Sequence, residues 1–240
     1  MTGIVKGLSS MATRVLLDDL VDDIERQHGI AVSFTSTGGV EVAQQVRDGA
    51  VADLVVLAAD ALGALESDGL LANGTVRPLF VSQVVAAVPA GSATPLLATE
   101  NDVRAAVVNA GRVAYSTGPS GSAVLALLER WGLHDELRDA LVQAAPGVPV
   151  GSLLASGQAD LGFQQLSELQ DLPGVQVLGP LPGDATIWST FSGGVLATST
   201  QAARATEVLG LLSADTAVAR VAARGMALVA HRDGVRVPRR

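Results

Sequence analysis

Three times in the first seventy residues, a short apolar run ends in small polar residues and is followed by apolar residues at helical spacing. The first run is Gly3 to Leu8. It stops at Ser9-Ser10, and Val15, Leu16, Leu20, Val21 and Ile24 then mark a helix from Met11 to Gln27. Either serine is a suitable N-cap, and His28-Gly29 suits the end of that helix. The second run, Ile30 to Phe34, passes through Thr35-Ser36-Thr37-Gly38-Gly39 into a helix from Val40 to Asp48 that Gly49 stops. The third, Asp53 to Leu57, is nearly continuous in apolar residues, as a strand covered on both faces should be. Asp60 then reads as the N-cap of a helix from Ala61 to Ser67. A β-α-β-α-β-α order leaves few options: a parallel sheet whose crossovers are right-handed.

A further strand, Val81 to Pro89, leads into a second series. It comprises a helix over Glu100–Asn109, a strand over Arg112–Tyr115, the turn Ser116 to Ser122 and a helix over Ala123–Trp131. Helices are expected over Asp135–Ala144, opened by His134, and over Gly151–Ser156, with strands over Asp160–Phe163 and Val175–Leu178. Thr186 to Ala197 is extended, and helices over Gln201–Leu212 and Asp215–Arg224 precede a polar tail from Arg232. The expected class is α/β with two domains, each a mostly parallel sheet flanked by helices, with a ligand cleft between them. Domain 1 is residues 1–82 plus 190–240, and domain 2 is residues 83–189, inserted into it. In such open sheets ligands bind beyond the carboxyl ends of the strands.

The net charge of −8 and the scarcity of aromatic residues argue against a nucleic-acid partner. No apolar stretch approaches the length of a membrane span. The chain shows no basic and apolar leader ahead of the first strand, which gives a cytoplasmic expectation, or a periplasmic or extracellular one if a leader has been trimmed. With no cysteine there is no disulfide and no thiolate chemistry. His28, His134 and His231 are scattered over expected helix ends, so neither a histidine triad nor a zinc site is expected, and no metal or organic cofactor is called for.

What remains at the strand ends is a set of uncharged donors: Ser9, Ser10, Thr37, Gly38, Gly39, Ser120, Gly121, Gln164 and Gln165. Hydroxyls, amides and backbone N–H groups at helix starts suit a small anion with several oxygens. Each turn alone is also what ordinary N-capping requires; several on one structural edge point to a ligand. Arg14 either meets a ligand carboxylate or is a solvated helix arginine, and Lys6 either reaches the cleft or snorkels at the edge.

Ser9-Ser10, the turn Ser36-Thr37-Gly38-Gly39 with its Val40-to-Val46 helix, and Gly49 to Asp53 running into Asp60 resemble the molybdate-binding type of periplasmic binding protein, with its two-domain type 2 fold. The resemblance implies oxyanion contacts at Ser9, Thr37-Gly38, Ser120 and the link Val148-Pro149-Val150. Where that family has a tyrosine, this chain has Gln165. Val113 to Ser116, Leu161-Gly-Phe-Gln-Gln-Leu-Ser-Glu-Leu169 and Phe191 to Gly194 are more similar to the aconitate isomerases, built on the same fold.

That similarity implies a cofactor-independent isomerase that shifts a proton on a small unsaturated di- or tricarboxylate. The motifs do not single out its base, and Lys6, if burial deprotonates it, Tyr115 and Glu168 are the candidates. The alternative is a non-catalytic solute-binding protein for an oxyanion such as molybdate or for a carboxylate. Only that alternative calls for a transporter partner. A ligand-sensing domain of a regulator is a further use of the fold.

Overall fold

The computed structural model describes residues 3–229. In chain order its elements are β1 (Val5–Ser10), α1 (Arg14–His28), β2 (Val32–Thr37), α2 (Gly39–Arg47), β3 (Leu54–Ala58), α3 (Ala59–Ser67) and β4 (Arg77–Pro89). There follow α4 (Glu100–Asn109), β5 (Val113–Tyr115), α5 (Pro119–Arg130), β6 (Leu141–Gln143), α6 (Val150–Ala155), β7 (Leu161–Gln165), α7 (Leu166–Leu169) and β8 (Val175–Pro180). The chain ends with β9 (Trp188–Val195), α8 (Ala202–Leu212), α9 (Val218–Ala223) and β10 (Met226–Leu228). It divides into unit 1, Met1–Ser82 with Thr190–Arg240, and unit 2, Gln83–Ser189.

In unit 1, β2, β1 and β3 are parallel neighbours and β9 runs antiparallel beside β3. One face is covered by α1, α8 and α9, whose Leu16, Leu20, Ile24, Val208, Leu212 and Val221 pack on Val5, Leu54 and Val56. On the other face Val42, Val46, Leu62 and Leu65 of α2 and α3 pack on Leu8, Val55 and Leu57. The strand period of two produces this division, because successive side chains of β1 and β3 enter opposite layers. Gly29 ends α1 with φ of 66°, a left-handed cap that costs glycine nothing.

Unit 2 repeats the plan. Here β7, β5 and β6 are parallel, and β4 pairs antiparallel with both β7 and β8. Its two faces carry separate cores, one around Val84, Val124, Leu128 and Phe163, the other around Val85, Ala114, Val150 and Leu154. Among the described residues no helix is long and apolar enough to cross a membrane.

Several expected boundaries move, for physical reasons. Both β1 and β2 run on through their small polar residues, because the parallel ladder continues over Ser9↔Ser36 and Ser10↔Thr37. Backbone pairing does not require apolar side chains, so Thr35 to Thr37 are strand and the turn shrinks to Gly38. Ser9 and Ser10 cap nothing: a short 3-10 turn, Met11–Thr13, follows Ser10 with no side-chain cap bond, and Thr13 precedes α1. Asp60 lies in the first turn of α3, and Ala58 holds the N-cap place. None of residues 135–144 is helical: the chain is turn as far as Ala140 and then strand β6. Leu133 and Leu137 are buried, but Val113 N–H bonds Ala140 O and β6 joins β5, so pairing overrides the helical spacing. His134 lies in that turn beside Asp135. His231 and the tail from Arg232 lie outside the described residues.

Candidate functional site

In unit 1 the strand ends place two pairs of hydroxyls on opposite faces. Ser9 and Ser36 share a rung and a 2.7 Å hydrogen bond between their hydroxyls. Ser10 and Thr37 share the next rung, on the α2 side, and neither buried hydroxyl has a hydrogen-bond partner among the described residues. A Cβ placed on Gly39 would lie 3.6 Å from Ser10 Cβ and 3.8 Å from Leu57 Cδ2, so α2 begins directly beside that rung. Its N-cap, Gly38, supplies no side chain to the first turn. The nine-residue helix therefore starts with uncapped N–H groups and its positive dipole end next to two unfilled hydroxyls. An unpartnered buried hydroxyl costs about 1–3 kcal/mol. Two on one rung mark a place that an oxygen-bearing ligand would complete.

Ser82, on β4, also carries a buried hydroxyl without a partner among the described residues. It was not a sequence candidate, since an isolated serine between Val81 and Gln83 gives no signal beyond that of a strand.

The other unit 1 candidates stand elsewhere. Lys6 is exposed on the N-terminal half of β1, about 10 Å from Ser9 at the rise of a strand. It has neither the burial nor the position the candidate base required. Its backbone N–H donates to Asp53 (2.9 Å), a buried carboxylate that also accepts from Ser199 Oγ (2.7 Å) and Gln201 Nε2 (3.3 Å). Arg14 is half-exposed and 3.9 Å from Asp18, the solvated arrangement.

In unit 2 the β5–β7 ladder ends at the rung Tyr115↔Phe163, where β5 stops, while β7 runs on through Gln164 and Gln165 paired with β4. Ser116 and Ser120 share a 2.9 Å hydroxyl bond. Ser120 and Gly121 lie in the first turn of α5, a twelve-residue helix whose N-cap, Gly118, gives no side-chain bond. A Cβ on Gly121 would overlap the Ser116 carbonyl oxygen, so this close approach admits only glycine. Tyr115 packs its ring against the core that contains Val113 and Phe163.

Gln164 and Gln165 are both buried, but strand alternation turns them to opposite faces. Gln164 has both ends engaged: its Oε1 accepts from Val150 N–H (2.8 Å) and its Nε2 donates to Glu168 Oε1 (2.8 Å). It is therefore not a spare donor for a ligand, and it occupies the Val150 N–H of the link the resemblance pointed to. Gln165 donates from Nε2 to Ser189 Oγ at 2.5 Å, and its Oε1 is buried without a partner among the described residues. The Ser189 hydroxyl can donate or accept, so the amide can turn over and offer N–H instead.

Glu168, on α7, is partly buried. Burial pushes its carboxyl up from 4.5 to about 7, while the bond from Gln164 pulls the other way. No three His, Cys, Asp or Glu side chains come together as a metal site among the described residues.

A family model described as bacterial extracellular solute-binding protein matches residues 5–227. An aconitate isomerase from a Pseudomonas species is 33% identical over 156 residues, 64% of this chain and 60% of that protein. The match thus spans about three fifths of that relative's length. The periplasmic molybdate-binding protein of Azotobacter vinelandii superposes with a TM-score of 0.79 at 23% identity, over 93% of this chain and 99% of that one. The sulfate-binding protein SubI of Mycobacterium tuberculosis H37Rv superposes at 0.76 with 18% identity, over 99% and 93%. These two likenesses speak to the fold.

Proposed function

The chain belongs to the bacterial extracellular solute-binding protein family, and from that premise we propose that it is a cofactor-independent isomerase of a small unsaturated di- or tricarboxylate. The family implies a small anionic ligand, and the similarity to an aconitate isomerase supports an aconitate-type substrate. The observation that carries the enzymatic reading is Glu168. A protein that only holds an anion has no use for a partly buried carboxyl of this kind in α7, directly after β7. A proton-transfer enzyme needs one, and a value near 7 lets it both take and return a proton.

In this reading uncharged donors hold the substrate carboxylates; in unit 2, which carries Glu168, these are Ser120 and the N-terminus of α5. Glu168 takes a proton from the methylene next to one carboxylate. The electron pair moves into the adjacent carbon–carbon bond and the old double bond opens onto the former vinylic carbon. That carbon is then protonated by Glu168, so the substrate is isomerised with no net gain or loss of atoms. The intermediate is a dienolate, and N–H donors stabilise its extra charge. Incubation with trans-aconitate in D2O, followed by proton NMR, tests this. Appearance of cis-aconitate with deuterium at the methylene supports it, and no turnover across a panel of unsaturated polycarboxylates overturns it.

The second reading, a solute-binding protein for an oxyanion or carboxylate, is favoured by the unit 1 rung, which needs only to bind. A rise in melting temperature with molybdate, tungstate or sulfate, and none with polycarboxylates, would select it. A transporter partner and a periplasmic or extracellular location go with that reading; a cytoplasmic one goes with the enzyme.

A further inference from the structure

We propose that Gln164 is a positioning residue for proton transfer at Glu168, acting through the peptide N–H of Val150; this rests on the isomerase reading. The argument is one of donors and acceptors. A backbone N–H can only donate, so the 2.8 Å contact from Val150 obliges the Gln164 amide to present its oxygen to α6. The amide nitrogen is then left facing Glu168 Oε1, also at 2.8 Å. The side chain cannot turn over without setting two donors against each other at one end and two acceptors at the other. Gln164 is itself only 2% exposed, so packing holds the side chain in place while its two bonds fix which end of the amide is which.

The consequence is chemical. A fixed N–H donor favours the ionised carboxylate, whereas burial favours the neutral acid. Both β7 and α6 pack against α7, and neither contains a charged side chain. Burial and the Gln164 bond are therefore the two influences on the Glu168 carboxyl, and they oppose each other. The amide also restricts rotation of the carboxyl by holding Oε1. Two adjacent glutamines thus serve different ends: Gln165 carries an unfilled amide end, and Gln164 a filled bridge.

The test is a carbon-13 NMR titration of the glutamate carboxyls in the full chain, with Glu168→Gln to assign the signal, alongside the pH profile of turnover. Gln164→Met keeps the volume and removes both bonds. The Glu168 midpoint should rise by about one unit, the size of one charge-assisted hydrogen bond. The basic form should then be reached later, so the rising limb of kcat should move to higher pH by a similar amount, with KM changed less than about twofold. Gln164→Glu, which can still accept from Val150, should raise the midpoint further and guards against a Met variant that fails to fold. An unmoved midpoint in both variants overturns the proposal. An unmoved kcat limb despite a moved midpoint overturns the positioning role alone. Absence of turnover in the unaltered protein overturns the isomerase reading and the proton-transfer role with it, while the titration still decides whether Gln164 governs the carboxyl.

Discussion

Ser10 and Thr37 are partners on the last rung of the β1–β2 ladder, and neither buried hydroxyl has a hydrogen-bond partner among the described residues. The N-terminus of α2, with no side-chain cap, begins within van der Waals reach of that rung. Hydroxyls left in this state weaken the empty protein and strengthen a complex in which they are filled. Ser10→Ala should therefore leave stability unchanged or raise it by up to about 1 kcal/mol. Binding of the anion should weaken by about tenfold or more, the value of one lost hydrogen bond to a charged group. Urea denaturation and ligand titration of the same variant check both halves. A variant that loses stability and binds normally would make the hydroxyl structural.

Asp53 makes the opposite prediction. Its carboxylate is almost wholly buried and accepts from Lys6 N–H, Ser199 and Gln201, joining the start of β3 to β1 and to the segment after β9. It lies at the far end of β3 from Ala58, away from the Ser10 rung. Asp53→Ala strands those donors and should cost about 3 kcal/mol. Ligand affinity of the folded fraction, measured well below the denaturation midpoint, should stay within about twofold.

The β/α alternation was legible because buried strands declare themselves as apolar runs, and α4 stands over Glu100–Asn109 as read. Strand ends were not legible. Ser9, Ser10 and Thr35 to Thr37 look like turn residues, yet their backbones continue the ladder, which is blind to side-chain polarity. The candidate site divides along the same line. Small polar residues after apolar runs pointed to Ser9, Ser10, Thr37 and Ser120 alike, but the two-residue strand period decides what each strand residue faces, and it sends Ser9 to Ser36 and Gln164 to Glu168. Lys6 drew notice by standing in an apolar strand, where the pleat simply turns it outward. Ser82 gave no sign at all, because a lone serine on a buried strand differs from alanine only by the partner it lacks.

Gly121 offers a geometric test of the start of α5. Any Cβ there meets the Ser116 carbonyl oxygen, a backbone atom held by the end of β5. Gly121→Ala must push α5 away from β5 and part the Ser116–Ser120 hydroxyl pair. The expected loss is about 2 kcal/mol or more, in the range of overpacking, together with weaker anion binding. Gly132→Ala, strained by a positive φ of 71° in an open turn, should lose stability without affecting binding.

Glu168 sets a pH dependence whose sign is the reverse of the usual carboxylate. Its carboxyl is raised in the fold, from 4.5 to about 7, chiefly by burial and against the pull of Gln164. Below pH 4.5 both the folded and unfolded states carry the proton, and the contribution of the neutral acid is fully present. Between 4.5 and 7 the folded state holds more protons than the unfolded one, so stability falls as pH rises. Above 7 the ionised carboxylate is held in a poorly solvated place and the contribution is gone. The span of the shift corresponds to about 3 kcal/mol at full burial, and to roughly 1–3 kcal/mol for a group that keeps some solvent contact. Glu168→Gln removes the titration while preserving the shape. The difference in unfolding free energy between the variant and the unaltered protein should therefore grow in the variant's favour from pH 5 to pH 8. Urea denaturation at closely spaced pH values measures that difference directly, and a flat difference across the range would mean that Glu168 is ionised throughout and has no proton to exchange near neutrality.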